Sequence, residues 1–326
     1  ENNLIVATQG RSLWMLDDLS LLHQLPKAKA ADGDFLFAPK KSYRTRGGGG
    51  KKSNKAGTNL ENGVITYFNL PDYDEKADSI HLSYLSVKGD TLATFFNHAK
   101  EKEHKLNLEK GANKFVWNSR VEGAEMLEGM ILWWASLQGP KVVPGDYKVS
   151  LDINGMVQEH PFQILPDPNA EVSIAQMKSQ FEFISEVNAT IDRAHQSIKK
   201  IRKINERLDV FIDQYKKDDR VKDLITKAEE LKKSFASIEK ALYQTKNRSG
   251  QDPLNFPIKL TNKLGHLNSL VGIDDFPPTD QDIAVKNELK GQIEAELNQF
   301  DNLVDKEIQD FNEAFNRLKL DYLIPE

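Results

Sequence analysis

The chain has 326 residues, 39% of them hydrophobic and 29% charged, with a net charge of −5. That is the composition of a folded chain long enough for two domains, each with its own core, and it excludes a disordered one. No apolar run approaches the roughly 20 residues that cross a bilayer, and the absence of cysteine excludes disulfides, thiolate metal sites and cysteine nucleophiles while leaving the compartment open.

The sequence begins at Glu1 without an initiator Met or signal segment, and Leu4-Ile5-Val6-Ala7 already has strand character. A trimmed fragment, whose upstream part and targeting signal lie elsewhere, is therefore expected. Asp17 and Asp18 are neighbours, so on a strand they would point to opposite faces and could not flank one glycosidic bond; a turn or cap fits them better. Arg46 to Asn62 holds the Gly47 to Gly50 run and three lysines, with little to bury, and reads as a mobile loop. The glycines lack the Lys-Ser/Thr ending and following helix of a phosphate loop.

From about Phe35 to Asp167 the apolar residues come in short runs broken by Gly, Pro, Asn and Asp. Candidate strands are Gly63 to Asn69, Ser79 to Val87, Thr91 to Phe96, Lys114 to Asn118, Met130 to Ser136, Asp146 to Ile153 and Val157 to Leu165. Lys88-Gly89-Asp90 and Ile153-Asn154-Gly155 have the residues of hairpin turns. Strands in this number without an intervening helix predict an immunoglobulin-like β-sandwich. Met130 to Ala135, the longest apolar run, suits a strand buried on both faces. In it, Trp133 and Trp134 would face opposite ways, one into the core and the other at the surface or against the helical domain. An outward indole there is the one candidate ligand platform in the chain, for a sugar.

After Pro166-Asp167-Pro168 the period changes. Met177, Phe181, Ile184, Val187, Ile191, Ala194, Ile198, Ile201, Ile204, Leu208, Phe211 and Tyr215 step by threes and fours, one stripe on a helix of roughly 40 residues. Val221, Leu224, Ala228, Leu231, Phe235, Ile238 and Leu242 keep the strict spacing of a coiled-coil seam. A short helix around Leu260, Leu264, Leu267 and Val271 follows, then a long one from an N-cap at Thr279, with Asp280 and Asp282 in its first turn. These helices predict an antiparallel bundle in which the seam packs against the first stripe.

Charge is uneven along the bundle. Ile191 to Arg248 holds 16 Lys and Arg against 10 Asp and Glu, and Leu270 to Glu326 holds 5 against 14. The run Lys199-Lys200-Ile201-Arg202-Lys203 has no interleaved aromatics to stack bases, so complementarity within the bundle is expected rather than nucleic-acid binding. Asp192-x-x-His195 has the carboxylate-x-x-His spacing of di-metal bundles, but no second copy exists, so His195 reads as a helix-face or boundary residue. His98, Glu101, Glu103 and His104 cluster without a standard ligand spacing. No serine sits in a Gly-x-Ser-x-Gly elbow. No catalytic residue, metal site or cofactor is therefore assigned.

The stretch Val6-Ala7-Thr8-Gln9-Gly10-Arg11-Ser12-Leu13-Trp14-Met15-Leu16-Asp17-Asp18-Leu19 resembles the closing strands of bacterial β-propellers built from BNR or sortilin-like repeats, often labelled putative glycosyl hydrolases. Gln9 stands where that pattern has His. Phe35-Leu36-Phe37-Ala38-Pro39, Asn113-Lys114-Phe115-Val116-Trp117-Asn118, Gly139-Pro140 with Pro144-Gly145-Asp146-Tyr147, Pro257 to Leu264 and Pro278-Thr279 also resemble the parts that follow such a propeller. The resemblance implies propeller-closing strands over 1–30, the sandwich over 35–167 and the bundle over 170–326. It further implies export to the periplasm, cell surface or medium, with the upstream propeller as partner and a protein or glycan as a further one. The Asp-box repeat of such propellers is absent from this chain, so those repeats are expected upstream, and two complete hydrophobic patterns with no convergent polar cluster make a non-catalytic structural or interaction module the expected function. The alternative is an accessory part of a glycan- or peptide-acting hydrolase whose active site lies upstream, with Trp133 or Trp134 touching substrate.

Overall fold

The computed structural model describes residues 3–16, 18–45 and 61–318; Asp17 and the glycine–lysine run at 46–60 lie outside the described residues. Mixed sheets come first and long helices after them. The chain divides into two compact units, one of residues 1–122 and 140–181, the other of 123–139 and 182–326.

In the first unit β1 (Leu4–Ala7) and β2 (Leu13–Leu16) form an antiparallel ribbon. A helix that the sequence did not announce follows, α1 (Ser20–Ala31). Asp18 takes the turn role expected of the Asp17–Asp18 pair, accepting the Ser20 N–H at 2.9 Å just before that helix. The remaining strands are β3 (Phe35–Leu36), β4 (Ser42–Arg44), β5 (Val64–Leu70), β6 (Ile80–Ser86), β7 (Thr91–Phe96), β8 (Gly111–Trp117), β9 (Gly145–Ile153) and β10 (Met156–Pro166). They make a five-stranded sheet in the order β4-β10-β9-β6-β7 and a three-stranded sheet in the order β3-β5-β8. Both expected hairpins form; Asn154 and Gly155, with φ of 54° and 89°, turn β9 into β10.

The two sheets share one apolar core, to which alternate residues such as Ile80, Leu82, Tyr84, Val149, Leu151 and Ile153 contribute. At its centre Trp117 of β8 stacks on Tyr84 of β6, ring centroids 4.3 Å apart. Both polar ends are satisfied: the indole N–H donates to the Arg120 carbonyl at 2.9 Å, and the phenol bonds the Thr66 hydroxyl at 2.8 Å. Burial pushes the Tyr84 phenol well above its ordinary ionisation range.

The helices are α2 (Ile174–Tyr215), α3 (Lys222–Leu242), α4 (Leu260–Val271), α5 (Asp280–Asn302) and α6 (Gln309–Arg317), with a π-helical stretch at Leu303–Ile308 joining the last two. Every seam residue from Val221 to Leu242 is buried. Thr279 is the N-cap, and a reciprocal capping box with Asp282 closes the start of α5. The seam and the α2 stripe from Ile184 to Tyr215 enter one core, and near the start of α2 it is Phe183, not the half-buried Phe181, that joins them. The most extensive main-chain contact of α3 is with α5, and α2 reaches α3 through side chains, with Arg202 bonding Glu239 at 2.8 Å and Lys232 paired to Asp209. The charge asymmetry is answered across the bundle by Arg193–Glu294 at 2.6 Å and Lys227–Glu307 at 3.5 Å.

One expectation fails. Met130 to Ser136 forms no strand, and residues 123–139 group with the helices. Of the run Met130 to Ala135 only Met130 is buried and Trp134 is exposed; Met130 and Leu132 pack, with Leu127 and Leu137 beside the run, on the helical core.

Candidate functional site

Residues 123–139 form an irregular strap in the helical unit. Its ends come together at a neck, where the Ala124 N–H donates to the Leu137 carbonyl at 2.9 Å. Gly123 is required there, since a Cβ on it would lie 2.0 Å from the Leu137 oxygen. A strap without regular structure must have its buried backbone groups satisfied by something else, and here side chains of α2, α3 and α4 do so.

The first clamp holds Glu125. Its N–H donates to Asp192 Oδ1 at 2.9 Å, and its carbonyl accepts from His195 Nδ1 at 2.6 Å. Its carboxylate takes the Gln196 amide at 2.7 Å and the Lys199 ammonium. Positions 192, 195, 196 and 199 are i, i+3, i+4 and i+7, one face of α2, and all four serve a single residue. The Lys199 hydrogen bond is the main cause that holds the Glu125 carboxyl below its ordinary range. Asp192 and His195, spaced like metal ligands in the sequence, are thus partners of the strap. His195 is fully buried, in keeping with a boundary position between helix and strap.

The second clamp comes from α3 and α4. The Tyr243 hydroxyl, one residue past α3, accepts the Ile131 N–H at 3.1 Å. Asn262 bonds both main-chain groups of Trp133, accepting its N–H at 2.8 Å and donating to its carbonyl at 2.9 Å. The Ser136 N–H donates to the Gly265 carbonyl at 3.0 Å, and Asn268 donates to the Ser136 carbonyl at 3.0 Å. Asn188 of α2 closes the set by donating to the Gln138 carbonyl at 2.9 Å. The strap lies so close to α4 that a Cβ on Gly265 would stand 3.1 Å from Ala135 Cβ.

Between these clamps sit the two tryptophans. Trp133 is half-buried, and Trp134 is 73% exposed with φ of 51°, a left-handed conformation that is strained for a bulky residue. Their rings are 6.4 Å apart and tilted by 33°, so they do not project to opposite sides as they would on a strand. Such a pair can offer an apolar, edge-polar surface to the face of a sugar ring or to a peptide. The side chains that position it, Asn262 and Asn268, carried no sign of this in the sequence, because polar residues on a helix read as a solvated face.

The other candidates disperse. His98 Nε2 lies 3.0 Å from the Asp78 carbonyl, whereas His104 approaches the Thr94 carbonyl at 3.4 Å and Glu122 at 3.7 Å. Among the described residues no group of three or more His, Asp or Glu is placed to hold a metal ion. Lys199 and Arg202 of the basic run are bonded to Glu125 and Glu239. A cavity of about 110 Å³ in the first unit is lined by Asp34, Asp72, Asp78 and Tyr73. Burial and the two neighbouring aspartates raise the Asp34 carboxyl, while Asp78 accepts the Asp74 N–H of its own loop and the Asn154 amide of the β9–β10 turn.

Neither a family model nor a curated protein matches the chain. Among solved structures it is similar to one described as pT26-6p, at 10% identity and a TM-score of 0.17. The match covers 88% of this chain and 50% of that one, so this chain spans about half its length. No helix among the described residues is long and apolar enough to cross a membrane.

Proposed function

We propose that this chain is a non-catalytic structural or interaction module of a larger exported protein, in which an immunoglobulin-like sandwich and a helical bundle follow the closing strands of a β-propeller. The observation that carries this reading is the β1–β2 ribbon. Its register puts Leu4, Val6, Trp14 and Leu16 on one face and Ile5, Leu13 and Met15 on the other, and every one of them is exposed. Two strands alone are marginal in water, and apolar residues on both faces suit a sheet covered on both sides. A propeller blade stacked between neighbours would cover both. The two sheets that share the Tyr84–Trp117 core support the sandwich assignment. Hydroxyl-radical footprinting of Trp14 and Met15, in this chain alone and in the full natural protein, tests the reading. Strong protection in the longer protein is expected; equal labelling in both would end it.

A second reading, an accessory part of a glycan- or peptide-acting hydrolase, is favoured by the exposed Trp134 on its clamped strap. Trp134→Ala should then abolish saturable quenching of tryptophan fluorescence by soluble oligosaccharides or peptides. A panel of such ligands that leaves the fluorescence of the unmutated chain unchanged counts against it.

A further inference from the structure

The His195 ring is fully buried, and Nδ1 lies 2.6 Å from the Glu125 carbonyl. A carbonyl only accepts, so Nδ1 carries the proton and neutral Nε2 is a bare lone pair. Nε2 is buried with no hydrogen-bond partner among the described residues. A lone pair in an apolar setting is tolerable, but an N–H⁺ there would be a buried charged donor without an acceptor. The charged groups that act on the ring are Glu125 from the strap and Asp192 and Lys199 from its own helix. None of them is hydrogen-bonded to Nε2: Asp192 Oδ1 accepts the Glu125 N–H, and the Glu125 carboxylate takes Gln196 and Lys199. A proton can settle on Nε2 only if the ring reaches water, and the strap packs on that ring through the Glu125 carbonyl.

We propose that His195 is a pH-sensitive latch on the strap: the neutral ring holds Glu125 and keeps residues 123–139 in the bundle, and protonation releases them together with the Trp133–Trp134 pair. Burial is the leading influence on the ring and lowers its proton affinity below the ordinary value of 6.5, against the raising pull of the Glu125 carbonyl and of Asp192. With a lowered value in the closed state, the open state binds more protons as pH falls. The closed state is therefore fully favoured above about 6.5 and loses ground below it, by up to about tenfold per pH unit until the closed-state value is passed. The latch concerns the strap of the second reading above, but it is tested by strap opening and not by ligand binding, so the two can fail separately.

Hydrogen exchange of the whole chain, corrected for the intrinsic pH dependence, should show the Glu125, Trp133 and Ser136 amides protected at pH 7.5. Their protection should drop about tenfold for each pH unit below about 6.5, while amides of the β unit change little. His195→Gln keeps a donor for Glu125 without a titrating proton and should flatten the profile, whereas His266→Gln, at the other histidine of this unit, should leave it intact. Should the Gln variant not fold, an imidazole NMR titration of the unmutated chain decides. His195 must gain its proton over the same pH range in which strap protection is lost. Flat strap protection from pH 8 to 5, or a His195 that titrates while the strap stays closed, overturns the latch.

Discussion

Asn262 of α4 bonds Trp133 in both directions, its Oδ1 2.8 Å from the tryptophan N–H and its Nδ2 2.9 Å from the tryptophan carbonyl. A primary amide is the smallest side chain that can present a donor and an acceptor side by side, so it substitutes for a neighbouring β-strand. Truncation strands two main-chain groups in a setting where Asn262 itself is buried. Asn262→Ala should cost about 2–4 kcal/mol, taking roughly 1–3 kcal/mol for each orphaned group with partial relief by water. Urea melts followed by tryptophan fluorescence would measure it, and Lys263→Ala at the exposed neighbouring position should stay within about 0.5 kcal/mol.

The neck of the strap makes a harsher prediction. Gly123→Ala puts a methyl 2.0 Å from the Leu137 oxygen and near the Gly139 nitrogen, both main-chain atoms that cannot rotate away. Overpacking of this kind costs about 1–3 kcal/mol, and here the upper end is expected because the Ala124–Leu137 bond is lost with it. Gly250→Ala, where a Cβ meets nothing within 4 Å, is the matched control in thermal melts.

The seam of α3 should dominate the stability of the bundle. Leu231 is buried among the residues of the helical core, so Leu231→Ala should cost about 2–5 kcal/mol. The ion pairs that join basic and acidic helices are exposed on at least one side, and such pairs are worth about 0–1 kcal/mol each. Raising the salt concentration to about 1 M should therefore shift the melting temperature far less than the single substitution does. A bundle that melts in salt but ignores Leu231→Ala would refute this ranking.

Arg44 is a buried guanidinium on the short strand β4, and its fork reaches three acceptors. Nη1 donates to the carbonyls of Val142 at 2.9 Å and Lys141 at 3.1 Å, and Nη2 donates to Gln180 Oε1 at 2.9 Å. A lysine there keeps the charge and loses the planar geometry that reaches three acceptors at once. Arg44→Lys should destabilise the β unit by about 1–3 kcal/mol in a urea melt read by near-UV dichroism of the Trp117–Tyr84 stack. Tyr43→Ala, next to it and exposed, should cost much less.

The sequence by itself determined the elements whose instructions are local. Asn154-Gly155 forces a turn wherever it stands, the spacing from Val221 to Leu242 writes one helix face, and Thr279 with Asp282 caps α5 without help from afar. Tertiary structure alone decided what became of residues 123–139. Met130 to Ala135 has the composition of a doubly buried strand, and a run of that length looks the same whether its backbone is paired with a sheet edge or with side chains. The partners that made it a strap are remote: Asp192, His195, Gln196 and Lys199 for Glu125, Asn262 for Trp133, Asn268 for Ser136. Each is a polar residue on a helix, and a polar residue gives no local sign that it faces another chain segment instead of water. Burial of Asn262 and Asn268 on α4 is a property of the assembled unit, in which both side chains bond the main chain of the strap.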